Sequence, residues 1–208
     1  MLKEIIARRL AGTRPADPQD YRVPGLPGDL PSALARLRPD SITPAAVLVP
    51  LMERPSGLTV LFTVRSEALK HHAGQVSFPG GSLEPGDDGP REAALRETEE
   101  EVGLHPERVN VAGYLANYLT ITGYSVTPVV GFVDPDGPLV LDTTEVRATF
   151  EVPLDYLLAP GNLQRRFKPY MGVMLPYFEV PWGEHRIWGA TAAMLVNFRD
   201  VVMGEEGQ

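Results

Sequence analysis

A helix with both ends marked in the sequence constrains this chain more than any other feature. Pro90 suits the first turn of an α-helix, which leaves backbone N–H groups unpaired, and Gly103 suits a left-handed end. Together they predict a helix of about 13 residues, 90–102. Around it, strand composition is found at 45–52, 58–64, 76–78, 109–119, 125–133 and 174–180, and helical spacing at 2–11, 30–37, 154–158 and 190–200. Because strands and helices mix without regular alternation, we predict an α+β fold (an α/β sandwich), not a doubly wound sheet or a barrel.

The length of 208 residues predicts one domain, and the content of 43% hydrophobic and 22% charged residues is typical of a soluble globular protein. We predict an N-terminal helical and irregular arm at residues 1–40, followed by a domain at residues 41–203. The arm contains a segment rich in proline and glycine at 13–28 that packs across the core or against a partner. A homodimer is therefore left open.

Charge and composition exclude several classes of function. The net charge of -8 opposes nonspecific attraction to nucleic acid and to anionic membranes. The absence of cysteine excludes disulfides, thiolate metal sites and a cysteine nucleophile. No stretch approaches the roughly 18 apolar residues of a membrane-spanning helix, and residues 1–9 lack the apolar core of a secretory signal. We expect a cytoplasmic protein that acts on a small molecule.

Four carboxylates lie within residues 97–101, in the carboxyl half of the bracketed helix. Glu97, Glu100 and Glu101 share one face, where like charges repel, and the helix dipole disfavours anions at this end. A solvated acidic face is the alternative to a site. A bound cation would reverse both unfavourable effects, and oxygen ligands of this kind suit Mg²⁺ or Mn²⁺. Arg96 can pair with Glu92 and Glu100, four residues away on either side, and hold a carboxylate in place.

The segment from Gly81 to Leu104 resembles the Nudix box, G-x5-E-x7-R-E-U-x-E-E-x-G-U, where U is apolar. Three departures stand out. One extra residue separates Gly81 from Arg96, Asp88 (or Asp87) replaces the early glutamate, and Thr98 occupies an apolar position. The second half matches at Arg96, Glu97, Glu100, Glu101, Gly103 and Leu104.

The stretch before the box is similar to the signature of the coenzyme A pyrophosphatase branch of the Nudix hydrolases, L-L-T-x-R-S-x3-R-x3-G-x3-F-P-G-G. Phe62 stands for leucine and Lys70 for arginine. The remaining positions match at Leu61, Thr63, Arg65, Ser66, Gly74, Phe78, Pro79, Gly80 and Gly81. The resemblance implies a Nudix-type mixed β-sheet packed between helices.

The resemblance also implies roles for individual residues. A diphosphate resists attack because its oxygens are anionic, so hydrolysis needs cations on those oxygens and an activated water. Glu97 and Glu101 are implied as metal ligands and Glu100 as a third ligand or a water-orienting group, with Arg96 holding a carboxylate. The Gly81 carbonyl is a further candidate ligand. The general base lies either in the box or outside it, where Glu145 and Glu151 are candidates.

Basic residues near the box suit an anionic ligand. Arg65, Lys70, His71 and His72 place donors and positive charge before it, and we expect Arg65, Lys70, Gly80 and Gly81 to contact substrate. For the two histidines a polar loop without chemistry is the alternative, and for a second basic cluster, Arg165, Arg166 and Lys168, it is a solvated surface. We expect residues 187–192 to open the last helix, with Trp188 in the core.

By resemblance the predicted activity is metal-dependent hydrolysis of coenzyme A or its thioesters to 3',5'-ADP and 4'-phosphopantetheine or its acyl form. Two alternatives remain. One is a Nudix hydrolase of another nucleoside diphosphate derivative such as ADP-ribose. The other is a noncatalytic nucleotide-binding module, which the acidic cluster disfavours because a binder of anions gains nothing from it without metal.

Overall fold

Two long neighbouring strands form the centre of the molecule. The computed structural model describes residues 1–22, 41–170 and 172–204. Its helices are α1 (Leu2–Leu10), α2 (Pro90–Val102), α3 (Leu154–Leu158) and α4 (Ala190–Met203). Its strands are β1 (Tyr21–Arg22), β2 (Thr43–Arg54), β3 (Gly57–Arg65), β4 (Val76–Ser77), β5 (Gly80–Ser82), β6 (Val109–Tyr114), β7 (Asn117–Leu119), β8 (Tyr124–Val133), β9 (Val146–Pro153), β10 (Gln164–Tyr170), β11 (Val173–Trp182) and β12 (His185–Trp188). Strands β2 and β8 pair in parallel over ten residues, 43–52 with 124–133.

The described strands form one nine-stranded mixed sheet and one small antiparallel sheet. The path of the large sheet is β1-β7-β8-β2-β3-β4, with β5 added to β2, β6 to β8 and β9 to β3. The small sheet has the order β10-β11-β12. Strand β2 turns directly into β3, and the two pair as an antiparallel hairpin. The central strands β2 and β8 read as apolar runs because both of their faces are covered.

Buried apolar side chains form two clusters. The larger one includes Ile6 and Leu10 of α1, the apolar face of α4, and Val180 and Ile187 of the small sheet. The smaller one holds Ala94 of α2 together with the rest of that helix's buried face. The mixed sheet packed with helices confirms the predicted α+β fold.

The boundaries of α2 and α3 agree with the prediction at both ends, since the sequence marks them with proline and glycine or with apolar spacing. None of the helices in the described ranges combines the length and hydropathy needed to span a membrane. The predicted helix at 30–37 and part of the irregular segment at 13–28 lie outside the described residues. The division into residues 1–40 and 41–203 stays a prediction.

The structure corrects two predictions of local structure. Residues 109–119 form two strands, 109–114 and 117–119, with an interruption at Leu115 and Ala116. The Leu115 N–H still donates to the Pro128 carbonyl of β8, whereas the Ala116 N–H donates to Asn197 Oδ1. Trp188 neither opens the last helix nor lies in the core. It ends β12, Gly189 turns with a φ of 65°, and the helix begins at Ala190. The half-buried indole ring of Trp188 instead lies 5.0 Å from Lys168 Nζ.

Candidate active site

Strand β5 brings two glycines against the carboxyl half of α2. Gly80 has a φ of 148°, and a β-carbon there would lie 2.6 Å from the Cα of Val47, so a side chain is excluded by both conformation and space. The Gly80 N–H donates to Glu101 Oε2 at 3.2 Å. A β-carbon on Gly81 would lie 2.6 Å from Glu97 Oε1. The carboxylates of Glu101 and Glu97 therefore pack directly against the backbone of Gly80 and Gly81.

Arg96 links α2 to the loop that precedes it. Its guanidinium donates to both carboxylate oxygens of Asp87 at 3.1 Å and to the Ser82 carbonyl at 3.2 Å. The Nη1 atom also lies 2.9 Å from Glu97 Oε1 and 3.3 Å from Glu100 Oε2. The predicted pairing with Glu100 is present. Glu92, the other predicted partner, instead accepts the backbone N–H of Asp88.

Contacts of α2 account for two of the three departures from the Nudix pattern. The carboxylate that meets Arg96 belongs to Asp87, and the hydrogen bonds from Arg96 lower the pKa of this aspartate. Thr98 is fully buried at the apolar position, but its hydroxyl donates to the Ala94 carbonyl at 2.6 Å, so no buried polar group is left unpaired there. The site is thus assembled with an aspartate in place of the usual glutamate.

Glu101 is the most buried carboxylate of the site, with 4% of the residue exposed. Burial raises its pKa to about 7, and the nearby charges of Glu145 and Glu97 add to this rise. The Gly80 N–H and the positive charge of Arg65 oppose it. Arg65 Nη1 lies 3.8 Å from Glu101 Oε1, which is a loose ion pair.

Glu97 is less buried but is also surrounded by negative charge. Burial is the main reason that its pKa is raised, the hydrogen bond from Arg96 opposes the rise, and the charges of Glu100 and Glu145 reinforce it. The charge of Glu145 therefore acts on both helix carboxylates, although Glu145 lies 44 positions after Glu101 in the chain. A divalent cation would remove this mutual repulsion.

The loop after β3 closes on itself beside Glu101. Arg65 donates its backbone N–H to the Gln75 carbonyl at 2.9 Å and accepts from the Gly74 N–H at 3.2 Å. The side-chain Nε of Arg65 is buried and has no hydrogen-bond partner among the described residues. This unused donor belongs to a guanidinium at the carboxylate cluster, where an anionic group of a ligand would complete its hydrogen bonding.

Glu145 is exposed and is held by its backbone at the start of β9. Its carbonyl accepts the Ser66 N–H at 2.7 Å, and its N–H donates to the Asp142 carbonyl at 3.0 Å. The pairing of β9 with β3 brings Val146 opposite Arg65. Antiparallel pairing of these distant segments thus places Glu145 beside the signature loop.

Glu151, the other candidate base, belongs to a different part of the molecule. Its carboxylate accepts hydrogen bonds from Arg54, with Nε at 3.0 Å, and from the Thr59 hydroxyl. Burial raises the pKa of Glu151, but these hydrogen bonds outweigh it and the net shift is downward. Glu151 is thus held in an ion pair with Arg54 at the β2–β3 hairpin.

The remaining predicted basic residues make no contact with the carboxylates among the described residues. Lys70, His71 and His72 are exposed on the loop, and His72 Nδ1 lies 3.0 Å from Gln75 Oε1. Arg166 pairs with Glu179 at 2.9 Å across the small sheet. The second basic cluster is therefore partly neutralised within its own sheet.

The donor set suits a hard divalent cation such as Mg²⁺ or Mn²⁺. Glu97 and Glu101 offer only oxygen, and each lies against one of two consecutive glycines, whose Cα atoms are separated by about 3.8 Å. Within the described ranges, however, no three acidic or histidine side chains already converge on one point. Arg96 holds Glu97 and Glu100 as counterions. Carboxylates that could hold a cation are thus present, with part of their negative charge offset by Arg96.

Sequence reasoning identified these carboxylates, Arg96 and Arg65, but it missed Asp87 as the partner of Arg96 and the turn 142–145 that carries Glu145. The residues Asp142, Thr143 and Thr144 are typical of a turn. Nothing in their sequence indicates which part of the molecule that turn faces.

Comparisons with known proteins identify the family of this chain. A family model described as NUDIX domain matches residues 42–175. Two relatives, each described as uncharacterized Nudix hydrolase NudL, from Escherichia coli O7:K1 and Escherichia coli K12, are 43% identical over 157 residues, which cover 73% of this chain and 78% of theirs. The crystal structure of the Nudix hydrolase RenU from M. smegmatis has the same fold, with a TM-score of 0.55 and 20% identity over 81% of this chain and 90% of that one. The resemblance predicted from the box is confirmed, and the chain belongs to the Nudix hydrolase family.

Proposed function

We propose that the chain hydrolyses the diphosphate of coenzyme A or its thioesters, giving 3',5'-ADP and 4'-phosphopantetheine or its acyl form. The observation that carries this proposal is the junction of two motifs in space. Arg65 of the signature loop lies 3.8 Å from Glu101 of the box, and the loop and the helix meet at Gly80. The part of the sequence that resembles the coenzyme A branch is therefore adjacent to the candidate reaction centre.

The proposed roles follow from the contacts. Arg65 offers an unpaired buried donor to a phosphate oxygen. Lys70 supplies a positive charge on the exposed loop that is proposed to bind the substrate. The glycines Gly80 and Gly81 leave room for close approach, and the Gly81 carbonyl offers one more oxygen.

We propose Glu97, Glu100 and Glu101 as the residues that hold a divalent cation. Such a cation, when bound, neutralises charge on the diphosphate and makes water more acidic. Arg96 orients Glu97 and Glu100. Glu145 is the proposed base, because it is an exposed carboxylate held beside the signature loop, its charge acts on Glu101, and it makes no ion pair among the described residues, so it can accept the proton of the attacking water.

The test is product analysis by mass spectrometry with coenzyme A, acetyl coenzyme A, ADP-ribose and a dinucleoside polyphosphate, each with Mg²⁺ or Mn²⁺. The reaction is run in ¹⁸O-labelled water, so that the labelled product reports which phosphorus is attacked. We expect 3',5'-ADP and 4'-phosphopantetheine, with the highest kcat/KM for a coenzyme A substrate.

Two other results would contradict the proposal in different ways. A preference for ADP-ribose would remove the coenzyme A assignment and keep the diphosphate chemistry. Binding of these compounds without cleavage, with either metal, would favour a noncatalytic module.

A further inference from the structure

The turn that carries Glu145 is attached to the end of the helix that carries the other carboxylates. The last carbonyl groups of a helix lack partners within it. In α2, the carbonyls of Glu101 and Val102 accept the N–H groups of Asp142 at 3.0 Å and Val140 at 2.9 Å. Segment 140–142 therefore pairs two of the last carbonyls of α2, one of them on the residue that also supplies the most buried carboxylate.

Close approach of this segment depends on Gly103. This glycine has a φ of 68°, and a β-carbon there would lie 2.9 Å from the Val140 nitrogen. The same residue that ends α2 thus leaves the space in which the segment docks.

Asp142 also organises the turn that follows. Its Oδ1 accepts the Thr144 N–H at 2.9 Å and the Thr144 hydroxyl at 2.7 Å. Its carbonyl accepts the N–H groups of Glu145 at 3.0 Å and Val146 at 2.8 Å. On the far side, the Glu145 carbonyl accepts the Ser66 N–H. Glu145 is therefore fixed between the end of α2 and the signature loop.

We propose that Asp142 and Thr144 are positioning residues, which hold the backbone of Glu145 so that its carboxylate faces Glu97 and Glu101. The inference rests on the proposed function, because it assigns the two residues an effect on catalysis through Glu145. A purely stabilising turn would make the same hydrogen bonds, so the two roles must be separated by coupling to Glu145.

Thr144→Val removes the hydroxyl donor and keeps the backbone N–H, and Thr144→Ser restores the hydroxyl. Thr143→Val is a matched control, because Thr143 is exposed in the same turn and its side chain makes no hydrogen bond within the described residues. Each variant is made in the wild-type chain and in Glu145→Gln. Coenzyme A and ADP-ribose are both assayed with Mg²⁺, and thermal unfolding is measured in parallel.

We expect Thr144→Val to lower kcat about ten-fold with KM within about two-fold, since a displaced catalytic group loses rate more than binding. Thr144→Ser and Thr143→Val should retain wild-type kcat. In the Glu145→Gln background, Thr144→Val should cause no further loss, because the group that it positions is already neutral. Asp142→Ala, which removes the Oδ1 acceptor of both Thr144 hydrogen bonds, should lower kcat in the same direction and gives a second, independent variant.

The proposal is overturned if Thr144→Val lowers kcat by the same factor with and without Glu145, or if it leaves kcat unchanged. A fall in melting temperature without the coupling would mark the turn as structural only. Cleavage of neither substrate by the wild-type chain would instead refute the proposed function itself, and this result is distinct from a lack of coupling.

Discussion

At the scale of single residues, burial of Glu101 has a consequence for stability. In the metal-free protein its pKa is about 7, whereas the ordinary value is 4.5. The folded chain therefore binds this proton more tightly than the unfolded chain, and the free energy of unfolding decreases as the pH rises from about 4.5 to about 7.

We predict that Glu101→Gln raises the stability of the metal-free protein at pH 8, by at most about 3 kcal/mol, and changes it little at pH 4.5. The neutral amide mimics the protonated carboxyl and retains an oxygen for the Gly80 N–H. Urea unfolding in the presence of a chelator at both pH values measures the difference. An equal effect of the substitution at both pH values would contradict the raised pKa.

The substitution that raises stability should lower catalytic activity. Glu97→Gln and Glu101→Gln are each expected to remove most activity at saturating Mg²⁺ while the protein stays folded, because each amide relieves repulsion and loses an anionic ligand. Steady-state kinetics measures the loss of activity, and circular dichroism checks that the variants remain folded. Activity near wild type in either variant would exclude this site.

Substitutions of Glu145 and Glu151 should have different effects on kcat and on stability. We expect Glu145→Gln to lower kcat at least about 100-fold, the range of a lost general base. Glu151→Gln should keep kcat and lower the melting temperature, because it removes the charge that pairs with Arg54. If both variants turn over normally, the base lies within the box.

Lys70 is the residue on which specificity can be tested. If the ammonium group of Lys70 contacts a group found only in coenzyme A, Lys70→Ala should lower kcat/KM for coenzyme A about ten-fold more than for ADP-ribose. Lys70→Arg, which places the residue of the family signature there, should retain the preference. Equal losses on both substrates would make Lys70 a general phosphate contact or a structural residue.

At the scale of elements, Gly103 joins the end of α2 to the segment that follows β8. Gly103→Ala should lower the free energy of unfolding by about 2 kcal/mol or more, because alanine is strained at a φ of 68° and its β-carbon meets Val140. Gly86→Ala is the control, since a β-carbon there has no neighbour within 4 Å. Chemical denaturation compares the two, and equal stabilities would refute the steric argument.

The elements also show which parts of a sequence can be interpreted without a structure. Helix α2 was predicted at both ends because Pro90 and Gly103 act locally. Strands β5 and β9 were not predicted. Gly80 and Gly81 have no strand propensity, and β9 follows the turn at Asp142 with only a weak alternation. Both strands exist because β2 and β3 offer them partners, which is information that no local window contains.

At the scale of the whole molecule, the carboxylates of α2 could be predicted as a candidate site, but their surroundings could not. Arg65 lies beside Glu101 because α2 lies against β5, and Glu145 is brought next to the loop of Arg65 because β3 pairs with β9. Trp188 shows the converse error, since an isolated aromatic residue was assigned to the core and instead packs under Lys168 at the surface of the small sheet. Tertiary contacts, not composition, decide both cases.

Because the buried apolar side chains form two clusters, substitutions in one cluster should affect the protein differently from substitutions in the other. Helix α2 contributes its buried residues to the smaller cluster, whereas α1, α4 and the small sheet draw on the larger one. Effects of substitutions that share no contacts are close to additive. Substitutions in the core behind α4 should therefore change the free energy of unfolding without changing the activity of the candidate site on α2. Stability and catalysis can thus be redesigned separately in this fold.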